Sequence, residues 1–307
     1  MPLPFEDVII MLGDNDQPLP DSILAELSTL NSEELDFFKR SWITIESKRR
    51  YHIIHRLLEL AENNFELSFD NIFKYCLEDQ DAKIRSKAIE GLWENEEASL
   101  INPLVNLLEQ DISEEVQAAA AKALSKFAML AECNKLRPSH TSKIQKALLA
   151  VINDTNKPIE VRRRTLEAAA PMNLPQVKTA ITEAYQSHDS RLRLSSIYAM
   201  GKNYDPSWLP ILLKELASTD TEMFYEAAGA CGELEEEEAI PHLRKLVNNT
   251  DTDVQMAAIQ ALGKIGGAQA KECLEHCLNN TNQAIRQVAE QILHELEINK
   301  DSLSFPL

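Results

Sequence analysis

Between residues 84 and 292 the sequence repeats itself. Asp189-Ser-Arg-Leu192, Asp220-Thr-Glu-Met223 and Asp251-Thr-Asp-Val254 follow one another at intervals of 31 residues, and each runs on to a glycine, at Gly201, Gly232 and Gly263. The next step reaches Asn282 and Ile285. Stepping back reaches Val161, and Val116 and Ile84 open the same pattern 32 residues apart. The interval from 116 to 161 is 45, which places an insertion around Ala131 to Ser142. A unit of this size holds two helices and cannot bury its apolar side alone, so neighbouring copies must stack.

The columns of the repeat have separate physical reasons. Ile84, Val116, Val161, Leu192, Met223, Val254 and Ile285 form the apolar column. Four residues on stand Ala88, Ala120, Thr165, Ser196, Ala227, Ala258 and Ala289, and seven on stand Gly91, Ala123, Ala168, Ala199, Ala230, Ala261 and Ile292. These offsets share one helical face, and small residues there let helices approach closely. Three residues before the apolar column come Asp81, Ser113, Asp189, Asp220, Asp251 and Asn282, which read as N-caps whose side-chain oxygens accept helix N–H groups. Pro158 breaks that rule in the third unit. A second helix follows each first one, as in Pro103–Leu108, Leu209–Leu213 and Ile240–Leu246, with proline in the first turn, where its missing N–H costs nothing.

The pattern Asp-x-x-Val-(Arg/Gln)-x-x-Ala-x-x-Ala-Leu-Gly, as in Asp251 to Gly263, resembles HEAT repeats, in the short form shared with phycobilisome-lyase-like proteins. The resemblance covers roughly Asn71 to Leu296. It implies an all-α fold, a right-handed α-α superhelix of about seven two-helix repeats. Residues 71–298 are the repeats, 1–70 a divergent helical cap and 299–307 a tail. In the cap, Asp21 to Ser28, Ser32 to Ile43 and Lys48 to Asn63 read as amphipathic helices, whereas Leu3-Pro4-Phe5 to Leu19-Pro20 reads as irregular. Such segments either pack back on the cap or dock to another chain. The resemblance further implies that Arg85, Arg162, Arg193 and Arg286 join an inter-repeat polar ladder, from which Gln117, Phe224 and Gln255 depart.

A formal charge of −18, with 49 acidic against 31 basic residues, repels phosphate backbones and argues against nucleic acid as a partner. DNA binding of the kind seen in helical-repeat alkylpurine glycosylases conflicts with it. No apolar run approaches a membrane span, no basic leader is visible, and the five cysteines show no framework spacing. A cytoplasmic, monomeric protein without membrane attachment is the expectation.

Chemistry is sparsely signposted. Deoxyhypusine hydroxylases use His-Glu pairs two and three residues after the apolar column. Here those slots hold Ser86-Lys87, Ala118-Ala119, Arg163-Arg164, Leu194-Ser195, Tyr225-Glu226, Met256-Ala257 and Gln287-Val288, and the one His294-Glu295 pair lies elsewhere in its unit. His52-x-x-His55, and Cys273, His276 and Cys277 with His242 one repeat earlier, lack the convergent ligands a metal requires. Neither a phosphate loop nor a nucleophile elbow is present. No cofactor is expected, and the chain reads as non-catalytic.

In solenoids of the resembled type the second helices line a concave face that serves for binding. On the last three of them, Ile211, His242 and Cys273 occupy one column and Lys214, Lys245 and His276 another, three residues on. This mildly basic stripe in an acidic chain is the candidate groove. Tyr204 and Trp208 are candidate anchors on the rim, beside the acidic run Glu233 to Glu238, and packing of Trp208 within its own helix pair is an equal alternative. The leading reading is a protein-binding or peptide-binding scaffold or adaptor. The alternative is a lyase-like or chromophore-handling protein of the phycobilisome-lyase-like branch.

Overall fold

The computed structural model describes residues 4–15 and 17–302. These are helical throughout, without a strand among the described residues. Two compact units divide the chain, residues 1–168 and 169–307.

The N-terminal unit opens with α1 (Phe5–Gly13), α2 (Asp21–Ala25), α3 (Ser32–Trp42), α4 (Ser47–Asn63) and α5 (Asp70–Cys76). The segment expected to be irregular therefore contains a helix. Glu6 and Asp7 occupy its first turn, Val8, Ile9 and Leu12 are buried on one side, and Pro4 precedes it without needing an N–H. Its C-terminus is closed from a distance: the buried Arg49 donates from Nε to the Leu12 carbonyl (2.9 Å) and from Nη2 to that of Met11 (3.3 Å). No local pattern announces a cap of that kind, which is why sequence reasoning missed the helix. α3 starts at a capping box formed by Asn31 and Glu34.

α6 (Ala82–Gly91), α7 (Ile101–Gln110), α8 (Glu114–Glu132), α9 (Pro138–Asn153) and α10 (Ile159–Ala169) follow. The insertion lengthens α8 and α9 and leaves a short connection between them. α6 packs on α4 and α8, so α4 and α5 act as one more helix pair beneath the first recognised repeat.

The C-terminal unit contains α11 (Pro175–Tyr185), α12 (Ser190–Lys202), α13 (Leu209–Glu215), α14 (Thr221–Leu234), α15 (Ile240–Leu246), α16 (Thr252–Ile265), α17 (Gly267–Cys277) and α18 (Gln283–Ser302). First helices stack on first helices, α12 on α14, α14 on α16 and α16 on α18. α18 runs past residue 298, no second helix follows it among the described residues, and the rest of the expected tail, 303–307, lies outside them.

The apolar and small columns form the core of this stacking. Every member of the column four residues on, from Ala88 to Ala289, is fully buried. The glycines make the closest approaches: a Cβ on Gly201 would lie 2.7 Å from Ala230 Cα, one on Gly232 3.0 Å from Ala261 Cα, and one on Gly263 2.5 Å from Ile292 Cγ2. Glycine recurs here because the next helix occupies the space of a side chain.

Asp81, Asp189, Asp220, Asp251 and Asn282 accept from backbone N–H groups of the following helix, as expected of caps. Ser113 makes no such bond. Its backbone N–H is instead held by Asp111 Oδ1 at 2.8 Å. That contact belongs to a column the sequence reading passed over. Asp79, Asp111, Ser187, Ser218, Asn249 and Asn280, five residues before the apolar column, each accept from the backbone N–H two residues on, at 2.8–3.1 Å. These Asx and Ser turns set the entry into every first helix. Asp154 does the same for Asn156 in the shifted third unit.

Candidate functional site

The second helices α13, α15 and α17 carry the columns marked as a groove, and the structure divides those six residues. Lys214, His242, Lys245 and His276 are exposed, Ile211 is half-buried, and Cys273 is buried at 4% exposure. Cys273 is therefore core-facing. Its neighbour Cys277 donates back to its carbonyl at 3.2 Å within α17, and burial pushes the Cys277 thiol up to about 11 and raises that of Cys273 as well.

Lys214 is not a free cation. Its Nζ lies 3.1 Å from Tyr185 Oη and 3.4 Å from Glu215 Oε1, while the Tyr185 hydroxyl donates to Glu215 at 2.6 Å. The hydrogen bond to Tyr185 holds the Lys214 ammonium above its ordinary range, and Tyr185 is raised chiefly by burial. The phenol and carboxylate come from consecutive second helices, so this triad fastens α11 to α13.

Two of the remaining exposed members line shallow grooves. Lys245, with Ile240, Pro241, Arg244, Gln269 and Glu272, lines a space of about 470 Å³ beside α15 and α17, and the buried Cys273 contributes to its floor. Arg244 and Glu272 approach to 3.8 Å across it. His276 lines a second space of about 530 Å³ whose walls are amide and hydroxyl side chains, Asn248, Asn249, Thr250, Asn279, Asn280 and Thr281 among them. His242 lines neither. The six residues thus lie along one run of helices without converging on one point.

The rim assignment separates in the same way. Tyr204 is half-exposed, at a left-handed φ of 54° just past α12. Trp208 is buried at 7% exposure, and its Nε1 donates to Asn203 Oδ1 at 3.0 Å, while Asn203 Nδ2 donates to the Ala170 carbonyl at 2.8 Å. Trp208 packs within its own helix pair and is no surface anchor. Glu233, the first residue of the acidic run, is engaged by Lys202 (2.9 Å) and Lys264 (2.6 Å), which together pull its carboxyl down against the effect of its burial.

That bridge is the inter-repeat ladder, and it stands in a different column from the one expected. Lys202, Glu233 and Lys264 lie ten residues after the apolar column, and their alternating charge at 31-residue spacing was the signal available in the sequence. The arginines assigned to a ladder chiefly clamp their own turn. Arg85, Arg193 and Arg286 donate to the carbonyls of Asp79, Ser187 and Asn280 at 2.7, 3.0 and 2.7 Å. Gln117, outside the arginine pattern, does the same to Asp111 O, and Gln255 holds Val247 O at 3.0 Å. Arg162 reaches only the Ile152 carbonyl, at 3.4 Å. Arg85 alone of these adds an ion pair to the next turn, to both oxygens of Asp111 at 2.8 and 2.7 Å.

The other chemical candidates disperse. His55 pairs with Glu59 at 3.6 Å and stacks on Tyr51. Arg163 and Arg164 both engage Glu160 and Glu167 on their own helix. Among the described residues no three His, Cys, Asp or Glu side chains converge as a metal-holding group. No helix among them is long and apolar enough to cross a membrane.

Tandem helix pairs, stacked first helix on first helix, with a buried small-residue column and a polar turn clamp, define a class of all-α repeat protein. The family model for HEAT repeats matches residues 70–143 and 209–294, a little over half of the sequence. The chain belongs to the HEAT-repeat family. Among solved structures it is similar to the complex of CpcE and CpcF of phycocyanin lyase from Nostoc sp. PCC7120, at 17% identity over 92% of this chain and 97% of that one, with a TM-score of 0.54. It is also similar to YibA of E. coli, at 16% identity over 92% and 98%, with a TM-score of 0.50. An engineered protein is 24% identical over 64% of this chain and 96% of its own, with a TM-score of 0.39. These likenesses concern the fold alone. No curated protein shows significant similarity to the sequence.

Proposed function

We propose that this chain is a non-catalytic scaffold or adaptor that binds another protein or peptide along its second helices. The observation carrying the proposal is the solvent-facing series Lys214, Lys245 and His276 at one-repeat spacing, with the exposed His242 three residues before Lys245, in a chain of net charge −18. Membership of a repeat family whose extended surfaces serve for recognition supports it. The same charge favours a protein over a nucleic acid, because each phosphate contact would oppose the field of the whole molecule. We place the protein in the cytoplasm as a monomer that needs no cofactor.

Affinity isolation from native lysate tests this, comparing wild type with Lys214→Glu/Lys245→Glu. Loss of specific partners from the variant supports the face. An unchanged partner set removes it. The alternative, chromophore handling, draws on the likeness to the CpcE–CpcF fold. It requires natively purified protein to carry a visible absorption band, and a clean spectrum disposes of it.

A further inference from the structure

The connections between first and second helices of the N-terminal unit present two aromatic side chains to solvent. Trp93, between α6 and α7, is 61% exposed, and Phe65, in the equivalent connection between α4 and α5, is 89% exposed. Single exposed apolar residues are ordinary. Trp93 differs because the backbone that carries it is held in place, and Phe65 stands in a turn closed by Glu66 N donating to Asn64 Oδ1 at 3.0 Å.

The connection that carries Trp93 is stitched to α5. Asn95 Nδ2 donates to Asp70 Oδ2 at 2.5 Å, and Lys74 Nζ to Glu97 Oε1 at 2.7 Å. From the opposite side, Lys126 on α8 donates to the Leu92 and Trp93 carbonyls at 2.7 and 2.8 Å. Asn95 Oδ1 closes the turn by accepting from Glu97 N at 2.9 Å. The indole thus projects from a segment anchored on both flanks. An aromatic on a fixed backbone loses little conformational entropy when a partner covers it.

The electrostatic surroundings select the partner. Glu66, Glu94 and Glu96 are exposed beside the aromatics and form no ion pair within 4 Å among the described residues. The nearby cations are engaged within the fold, Lys74 by Glu97 and Lys126 by the two carbonyls, where burial brings its ammonium down to about 8. An indole face attracts a cation, and neighbouring carboxylates add to that attraction. An anionic partner, whether nucleic acid or acidic lipid surface, meets repulsion at the same place.

We infer that the rim formed by Phe65, Glu66, Trp93, Glu94 and Glu96 is a docking surface for an arginine- or lysine-bearing segment of a partner protein. It lies in the other unit from the second-helix face proposed above, so failure of either leaves the other standing.

The chain's three tryptophans provide the readout. Trp42 and Trp208 are buried at 1% and 7% exposure, so acrylamide quenching reports chiefly on Trp93. The probe is a capped peptide of alternating arginine and glycine, about eight residues long and free of aromatics, with a glutamate–glycine peptide for comparison. The arginine peptide is expected to lower the quenching constant saturably, by about twofold or more, while the glutamate peptide leaves it unchanged. Affinity for a labelled arginine peptide should fall about fivefold in Glu94→Gln/Glu96→Gln, and less than about twofold in Glu236→Gln/Glu238→Gln, an equal charge change in the C-terminal unit. Undiminished quenching of Trp93 at peptide saturation, or equal weakening by the two double variants, overturns the proposal. Glu94, Glu96 and Glu238 are exposed and Glu236 is half-buried, so neither variant disturbs the core.

Discussion

Replacing Gly201 with alanine tests the stacking of the C-terminal unit with one methyl group. An added Cβ would lie 2.7 Å from Ala230 Cα and 2.9 Å from Ala230 Cβ. Carbon atoms pack at about 3.5–4.0 Å, so α12 and α14 would have to separate by close to an ångström. The obstacle is backbone, with no flexible side-chain end to turn aside. In isolation, alanine stabilises a helix relative to glycine by about 1 kcal/mol. Overpacking of a tight core costs about 1–3 kcal/mol, and a backbone obstacle places this site at the upper end. The net expectation is a loss of about 1–2 kcal/mol. Gly229, on α14, supplies the control, because it is exposed and an added Cβ meets nothing within 4 Å. Gly229→Ala should gain about 0.5–1 kcal/mol. The same chemical change on adjacent helices is therefore expected to shift stability in opposite directions. At about 2–4 °C per kcal/mol, the two thermal midpoints, followed by far-ultraviolet circular dichroism, should differ by roughly 3–12 °C. Gly201→Ala unfolding at or above the wild-type temperature would refute the close-approach account of the glycine column.

Two further expectations concern charges. Asp79, with a side chain 1% exposed, accepts from Arg50 Nη1 at 2.6 Å and from the Trp42 indole N–H at 2.8 Å, so Asp79→Ala leaves a buried guanidinium uncompensated. It should cost about 3–5 kcal/mol in urea denaturation, with much of this recovered in Arg50→Met/Asp79→Leu; a loss under about 1 kcal/mol would show the pair to be dispensable. Asp205, bonded to Lys178 at 2.6 Å and to Ser207 N at 2.9 Å, is drawn down to about 2, chiefly by Lys178. Its folded value lies below the unfolded value of about 3.9, so its contribution to stability is complete above that pH and is lost as pH falls through about 2. Carboxyl NMR should show the low value in wild type and a rise toward about 3.9 in Lys178→Met; an unmoved titration would remove Lys178 as the cause.

Most of the architecture could be read from spacing, because an N-cap, an apolar residue and small residues at fixed offsets are local requirements of a helix that must stack. The apolar and small columns, from Ile84 to Ile285, lie along successive first helices where the periodicity placed them, most members buried and a few, such as Val254 and Ala123, half-buried. Reading stopped at features that depend on a partner distant in the chain. α1 is closed by Arg49, the residue ten past the apolar column finds its opposite charge one repeat away, and the turn column hides among ordinary Asp, Ser and Asn. A residue's column likewise does not state its depth. Cys273 and His242 are one repeat apart, yet one is buried and the other exposed, and Trp208 turns inward because Asn203 offers its indole an acceptor. The sequence by itself determined the helix pairs of the repeats and their buried sides, since those follow from which residues recur and how far apart. Only the tertiary structure decided which polar groups meet and which aromatics stay in water, because burial and pairing depend on neighbouring helices as much as on a residue's own helix.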